Sequence, residues 1–237
     1  MFHNLSFSFE SGLTGIIGVN GIGKSTLLKT IAGLQDPLSG KIFINEKDCA
    51  AISNHERATY FSVVLTEKIT DAYFSVFDIV ASGRSPYTGF LGEIEKEDLL
   101  IIESNLEKCG ISHLREKKCS EISDGERQKC MIARALTQAT PVMLLDEPSS
   151  YLDFKARFEI MELLNRIAAE ENKTIIFSSH DIEMVFKTAK NCLVILNAET
   201  VILQSCKELV ASEIPQKLLE GSNLIFNKDS LSISFKK

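Results

Sequence analysis

The nine residues GVNGIGKST, Gly18 to Thr26, carry types suited to holding a chain of phosphates. Glycines at 18, 21 and 23 let the backbone wrap an anion in conformations other residues resist. Successive N–H groups, Asn20 among them, and the following helix N-terminus supply partial positive charge. Lys24 adds a full charge near the β and γ phosphates, and the Ser25 hydroxyl can ligate Mg²⁺. Two carboxylates, Asp146 and Glu147, close the apolar run VMLLDE. Asp146 can hold Mg²⁺ through its water shell, and Glu147 can polarise an attacking water. His180 closes a second apolar run, IIFSSH, and can contact a γ-phosphate and orient that water.

A third stretch, SEISDGERQK, reads first as a helix start. Ser123 stands at the N-cap and Glu126 three residues on, the spacing of a capping box. Gly125 is a poor helix former in that first turn. Ser-x-Gly also exposes N–H groups where an anion could dock. The stretch alone leaves both readings open.

These residues need elements to position them. LTGIIG, PVMLLDEP and KTIIFSSH are continuous apolar runs of strand length. Helical spacing alternates with them in KSTLLKTIAGL, ERQKCMIARALTQ and FKARFEIMELLNRIAAEEN. Apolar strands alternating with helices predict a largely parallel sheet covered on both faces. GKIFINE and RATYFSVVL also read as strands, and CLVIL with TVILQ as a hairpin. Helices are expected from Ser75 and over EIEKEDLLIIESNLEKCG, ending at Gly110. Residues 68–140 thus hold helices and no evident strand, a helical lobe set into an α/β core of residues 1–67 and 141–237.

The 237 residues are 44% hydrophobic and 24% charged, which permits one large domain with a sizeable core. A net charge of −6 argues against uniform attraction to nucleic acid. Cys49, Cys109, Cys119, Cys130, Cys192 and Cys206 include no C-x-x-C pair, so they are expected as buried, reduced thiols. No apolar run reaches the ~20 residues a bilayer span requires.

Taken together, the phosphate loop, ISDGE at Ile122–Glu126, LLDEPSSYLD and His180 resemble the ATPase subunit of an ABC transporter, in motif order and spacing over about Gly12 to Gln204. The resemblance implies a single domain with a P-loop NTPase core, an antiparallel β subdomain and an inserted helical subdomain. It implies ATP and Mg²⁺ as ligands, and a head-to-tail homodimer with each ATP between one copy's phosphate loop and the other's signature. Ser123 and Gly125 would then contact a γ-phosphate bound by the partner, and Asp153 would be the D-loop acid. Transmembrane permease subunits would be contacted from the cytoplasmic face of the inner membrane, peripherally. ASGRSPYTGFLG, Ala81 to Gly92, looks like the permease-facing segment of importers for iron–siderophore, haem and cobalamin. Its glycines and Pro86 are expected to break the preceding helix, and Arg84, Tyr87 and Phe90 to face the permease.

Three departures from the family pattern stand out. Thr66 and Glu67 occupy the position of the Q-loop glutamine, so one or both are expected to take over its contact with Mg²⁺. The family's adenine-stacking aromatic stands upstream of FHNLSF, which leaves Phe2 and Phe7 as substitutes or places the true start upstream. Asp124 and Glu126 put carboxylates in the signature; Glu126 is expected to fold back as a cap and Asp124 to flank the helix N-terminus. Two other functions fit part of the pattern: a soluble, non-transport ABC ATPase acting on nucleic acid or ribosomes, and a nucleotide switch without fast turnover.

Overall fold

The computed structural model describes residues 5–66, 73–89 and 92–236. The chain runs β1 (Gly12–Gly18), α1 (Lys24–Ile31), β2 (Phe43–Ile44), β3 (Lys47–Asp48), α2 (Asn54–Tyr60) and β4 (Phe61–Val64). Next come α3 (Val76–Ala81), α4 (Lys96–Lys108), α5 (Asp124–Thr137), β5 (Val142–Leu145), α6 (Phe154–Glu170), β6 (Thr174–Ser178) and α7 (Ile182–Thr188). It continues through β7 (Asn191–Ile195), β8 (Val201–Ser205), α8 (Cys206–Ala211), α9 (Ile214–Lys217), β9 (Leu224–Asn227) and β10 (Ser232–Phe235).

Alternation along the central strands builds two apolar layers on one sheet. Leu13, Ile17, Met143, Leu145, Ile175, Phe177, Cys192 and Val194 enter one cluster. Ile16, Val142, Leu144, Ile176, Leu193 and Ile195 enter the other, with Leu28 of α1. Both faces are therefore buried, which is why these strands read as unbroken apolar runs. Strand order is β4-β5-β6-β1-β7-β8 among the described residues. The first five strands run parallel, and β8 returns antiparallel against β7. The remaining antiparallel pairs are small hairpins, β2–β3 and β9–β10.

Two expected strands are shorter than read. Within RATYFSVVL, Arg57–Tyr60 completes α2 and only Phe61–Val64 is extended. The cap explains this: Ser53 accepts from the Glu56 N–H at 3.1 Å and starts a helix that overrides the β-prone residues after it. Arg57 then fixes that helix by donating to the carbonyls of Gly33 and Cys49, each at 2.9 Å. In GKIFINE, positive φ at Asn45 (46°) and Glu46 (66°) turns the chain after two paired residues.

The helices between β4 and β5 are joined to the sheet through shared apolar packing. Val76 and Ile79 of α3, Ile102 and Leu106 of α4, and Ile132 of α5 lie in the same cluster as Met143 and Leu145. All six cysteines are buried and unpaired. Burial pushes the thiols of Cys109 and Cys206 up to about 12. Among the described residues no helix is long and apolar enough to cross a membrane.

The segment after α3 departs from expectation in a useful way. The α-helix ends at Ala81, as read, and the chain passes into a 3₁₀ turn, Ser82–Arg84. A Cβ at Gly83 would lie 2.3 Å from the Arg134 carbonyl oxygen, so the glycine lets this turn press against α5. Arg84, expected to face a partner, is buried instead. Its Nε donates to Asp98 Oδ1 at 2.7 Å, and a terminal nitrogen donates to the Thr137 carbonyl at 3.1 Å. That bond to Arg84 holds the Asp98 carboxyl below its ordinary range. The guanidinium also stacks on Tyr87 at 4.0 Å. Tyr87 donates its hydroxyl to the Gln138 carbonyl at 3.0 Å and stays partly exposed. Phe90 lies outside the described residues.

Gly83→Ala tests this close approach. Overpacking there is expected to cost about 1–3 kcal/mol. The loss is read as a lower midpoint in urea unfolding.

Candidate functional site

The parallel register brings four loop starts to one rim of the sheet. From β4 comes Thr66, from β5 Asp146 and Glu147, from β6 His180, and from β1 the phosphate loop. Carboxyl ends of parallel strands are where open α/β sheets place ligands.

Asp146 is the hub of that rim. Ser25 donates to its Oδ1 at 2.8 Å and Ser178 donates to the same oxygen at 2.6 Å. Thr66 donates from its hydroxyl toward Asp146 Oδ2 and its carbonyl oxygen, both at 3.2 Å. Because Ser25 gives its proton to Asp146, the lone pairs of its oxygen stay open to a cation. A hydroxyl and one carboxylate suit Mg²⁺, which keeps water and substrate phosphate as its other ligands. The described residues contain no cluster of three or more His, Cys, Asp or Glu able to hold a metal alone. The donor set therefore fits a metal that arrives with a phosphate. Thr66 thus meets the same carboxylate as Ser25; Glu67 lies outside the described residues.

The loop and α1 present a helix start with no side-chain cap. Gly23 has φ 107°, a value that favours glycine, and caps α1 without a side-chain hydrogen bond. The first turn of α1 contains no acid, so no side chain opposes its positive end. By contrast α5, α6 and α7 are capped by Ser123, Asp153 and Asp181. Lys24 is buried, its Nζ donating to the Gly18 carbonyl at 2.9 Å and toward that of Val19 at 3.4 Å. Burial lowers its pKa, while the charges of Glu147 and Asp146 act the other way. Anionic phosphates would offer the ammonium better partners than these two carbonyls. Gly18, Asn20, Gly21, Ser25 and Thr26 all lie on this loop or first turn.

Glu147 sits beside the hub with backbone φ 51°. A left-handed non-glycine costs on the order of 1 kcal/mol and needs local support. The support is visible: its N–H donates to Ser178 Oγ at 2.9 Å. Its carboxylate Oε2 accepts from the Ser150 hydroxyl at 2.7 Å and lies 2.6 Å from His180 Nδ1. The His180 side chain is 58% exposed, so it can be reached from outside. Sequence reasoning missed Ser150 and Ser178. The only available signal for Ser178 was a polar residue breaking the apolar run of β6.

The signature stretch is complete as a cap. Ser123 Oγ accepts from the Glu126 N–H at 3.3 Å and donates to Glu126 Oε2 at 2.8 Å. Glu126 also accepts from the Ser123 N–H at 2.8 Å, and these bonds hold its carboxyl below the ordinary range. Asp124 pairs with Arg127 at 2.6 Å on the flank. Gly125 is different: the nearest atom to an added Cβ is Ala156 Cβ at 3.4 Å. Packing within the chain gives that glycine no strong reason to be one. Asp153 accepts from the Ala156 N–H at 2.8 Å. Asp181, beside His180, is likewise a cap, accepting from Met184 N–H at 2.9 Å.

Two hollows bear on where a nucleotide could lie. A cleft of about 80 Å³ between the start of α5 and Asp146–Glu147 is too small for one. A groove of about 490 Å³ runs between residues 5–10 and the β8 strand, and none of the phosphate-site residues lines it. Phe7 lines that groove, edge-on to Phe9 at 5.2 Å. Phe2 lies outside the described residues.

Comparison with known proteins agrees with this geometry. The ABC transporter family profile matches residues 2–150. An uncharacterized ABC transporter ATP-binding protein of Methanocaldococcus jannaschii is 39% identical, over 90% of this chain and 73% of that protein. The iron(3+)-hydroxamate import ATP-binding protein FhuC of Bacillus subtilis is 33% identical, over 89% and 77%. The ferric enterobactin transport ATP-binding protein FepC of Escherichia coli is 30% identical, over 91% and 80%. Among solved structures, an inward-facing ABC transporter of metal-chelate type superposes with TM-score 0.81 at 26% identity, covering 98% of this chain and 88% of that one.

Gly125→Ala is expected to leave the isolated chain as stable as before, or up to about 1 kcal/mol more so, since alanine is the better helix former. Thermal unfolding of the two proteins side by side checks this.

Proposed function

The chain belongs to the ABC transporter family, and from that premise we propose that it is the ATPase that powers import of a metal chelate through a membrane permease. The cargo class is an iron chelate, haem or cobalamin. The relatives FhuC, FepC and the cobalamin import ATP-binding protein BtuD of Halobacterium salinarum support it, as does the metal-chelate type of the structural neighbour. These transport relatives do not favour a nucleic-acid or ribosome role. The observation that carries the catalytic reading is the Glu147–His180 contact of 2.6 Å beside the Ser25–Asp146 bond of 2.8 Å.

The roles follow from that geometry. The loop N–H groups and Lys24 bind the phosphates, with Gly18, Asn20, Gly21, Gly23 and Thr26 shaping the seat. Ser25 and Asp146 would hold Mg²⁺, which supplies charge neutralisation at the phosphate oxygens. Glu147 accepts a hydrogen bond from the attacking water and directs it. His180 orients Glu147 through Nδ1, leaving Nε2 to address a phosphate oxygen. Thr66 serves the metal side through Asp146.

In our reading the unit is one domain: residues 1–67 and 141–237 form the α/β core, and 68–140 the helical subdomain. Two copies pair head to tail at the cytoplasmic face of the inner membrane. Ser123 and Gly125 of each meet the γ-phosphate held by the other, with Asp153 at the crossing between them. The support is Gly125, a small residue whose space the chain itself does not need. Ser123 must then exchange its bond to Glu126 for one to the phosphate. The helical subdomain meets the permease near Tyr87 and Phe90, with Arg84 bracing Tyr87 from beneath.

Turnover measurements test this directly. Glu147→Gln is expected to bind ATP normally and lose hydrolysis by about 100-fold or more; undiminished turnover would remove Glu147 from the mechanism. Gly125→Ala and Ser123→Arg should keep ATP binding while reducing dimer-dependent hydrolysis. Co-purification from native membranes, with identification of the permease and its ligand, decides the cargo class.

A further inference from the structure

Ser178 ends β6 and has no solvent exposure. Register explains its place. Leu144 pairs with Ile176 and Leu145 with Phe177, so the next step sets Asp146 beside Ser178. Its single hydroxyl serves both acidic residues at once. It donates to Asp146 Oδ1 at 2.6 Å and accepts from the Glu147 N–H at 2.9 Å. The residue it grips by the backbone is the one held at positive φ.

We propose that Ser178 is a positioning residue for ATP hydrolysis: one buried hydroxyl fixes the metal-side carboxylate of Asp146 and the backbone of Glu147 in register. The proposal rests on the ATPase reading above. A hydroxyl can donate one proton and accept elsewhere at the same time, so it links an acceptor to a donor. Alanine can do neither. Removing the hydroxyl frees Asp146 Oδ1 to be oriented by Ser25 alone among its two donors. It also leaves the Glu147 N–H without its partner in a dry site. Ser25 would also carry the metal on its oxygen, whereas Ser178 is the donor to Oδ1 that serves the protein alone. Groups behind a metal site commonly matter this way, by orienting the residues that touch it.

A plain structural role makes a different forecast: lower stability and no selective effect on metal or turnover. The experiment therefore measures Mn²⁺ affinity in the presence of ATP, ATP affinity in EDTA, and kcat, for the full chain with Ser178→Ala, Ser178→Cys and Ser178→Thr. Alanine and cysteine are expected to leave metal-free ATP affinity unchanged while weakening Mn²⁺ binding and lowering kcat by about 10–100-fold. Threonine, which keeps the hydroxyl, is expected to recover most of both. Wild-type Mn²⁺ affinity and kcat in any folded variant without the hydroxyl overturns the proposal, as does equal loss in threonine and alanine. Should alanine fail to fold, the cysteine and threonine pair carries the same decision. An inactive wild-type chain would instead count against the ATPase reading itself.

Discussion

The rim depends on one carboxylate. Asp146 receives hydroxyls from three separate parts of the chain: Ser25 after β1, Thr66 after β4 and Ser178 at the end of β6. A buried carboxylate is costly unless its lone pairs are met by donors, and here they are. The same bonds tie the phosphate loop, the Q-loop position and the strand before His180 to a common point. Any shift of one parallel strand by a residue would carry its donor to the opposite face of the sheet. The two apolar layers forbid that slip, since it would turn Ile16, Leu144 or Ile176 out of one core and into the other. Core packing thus sets the tolerance of the site.

Beside this rigid hub stand groups that are poised rather than finished. Lys24 donates to loop carbonyls, weak partners for an ammonium, and burial lowers its pKa. The first turn of α1 lacks the side-chain cap that α5, α6 and α7 possess. The contrast has a physical meaning: a helix start left uncapped is a seat for an anion, whereas one with a capping box is satisfied. Beside α5, α6 and α7, the start of α1 at Gly23–Ser25 is the uncapped one, while the helix after Ser123 needs nothing further from its own fold.

The helical region shows how an exposed loop can be braced from inside. Arg84 and Asp98 form an ion pair with both side chains nearly dry, 10% and 11% exposed. Such a pair adds little net stability but is costly to break singly. Its effect is geometric: the guanidinium lies under Tyr87 and bonds the end of α5 at Thr137. The segment that resembles a permease-facing loop is therefore anchored to the helix that begins at Ser123.

Much of this was legible in the residues. Unbroken apolar runs identified the core strands, because both faces of the sheet are covered. The glycine spacing with Lys24 and Ser25 located the loop between β1 and α1, where Gly23 takes φ 107°. The Ser123–Glu126 box was readable because capping is local. Three features were decided only by tertiary structure. Arg84 turned inward, since an arginine's direction depends on whether a carboxylate such as Asp98 waits below it. Residues 57–60 became helix, since Arg57 reaches the carbonyls of Gly33 and Cys49 and these bonds outweigh local β preference. Ser178 and Ser150 joined the site, since a serine at a strand end is unremarkable until register names its neighbours. Local chemistry and periodicity are written along the chain; which donor meets which acceptor is set by packing between segments far apart in it.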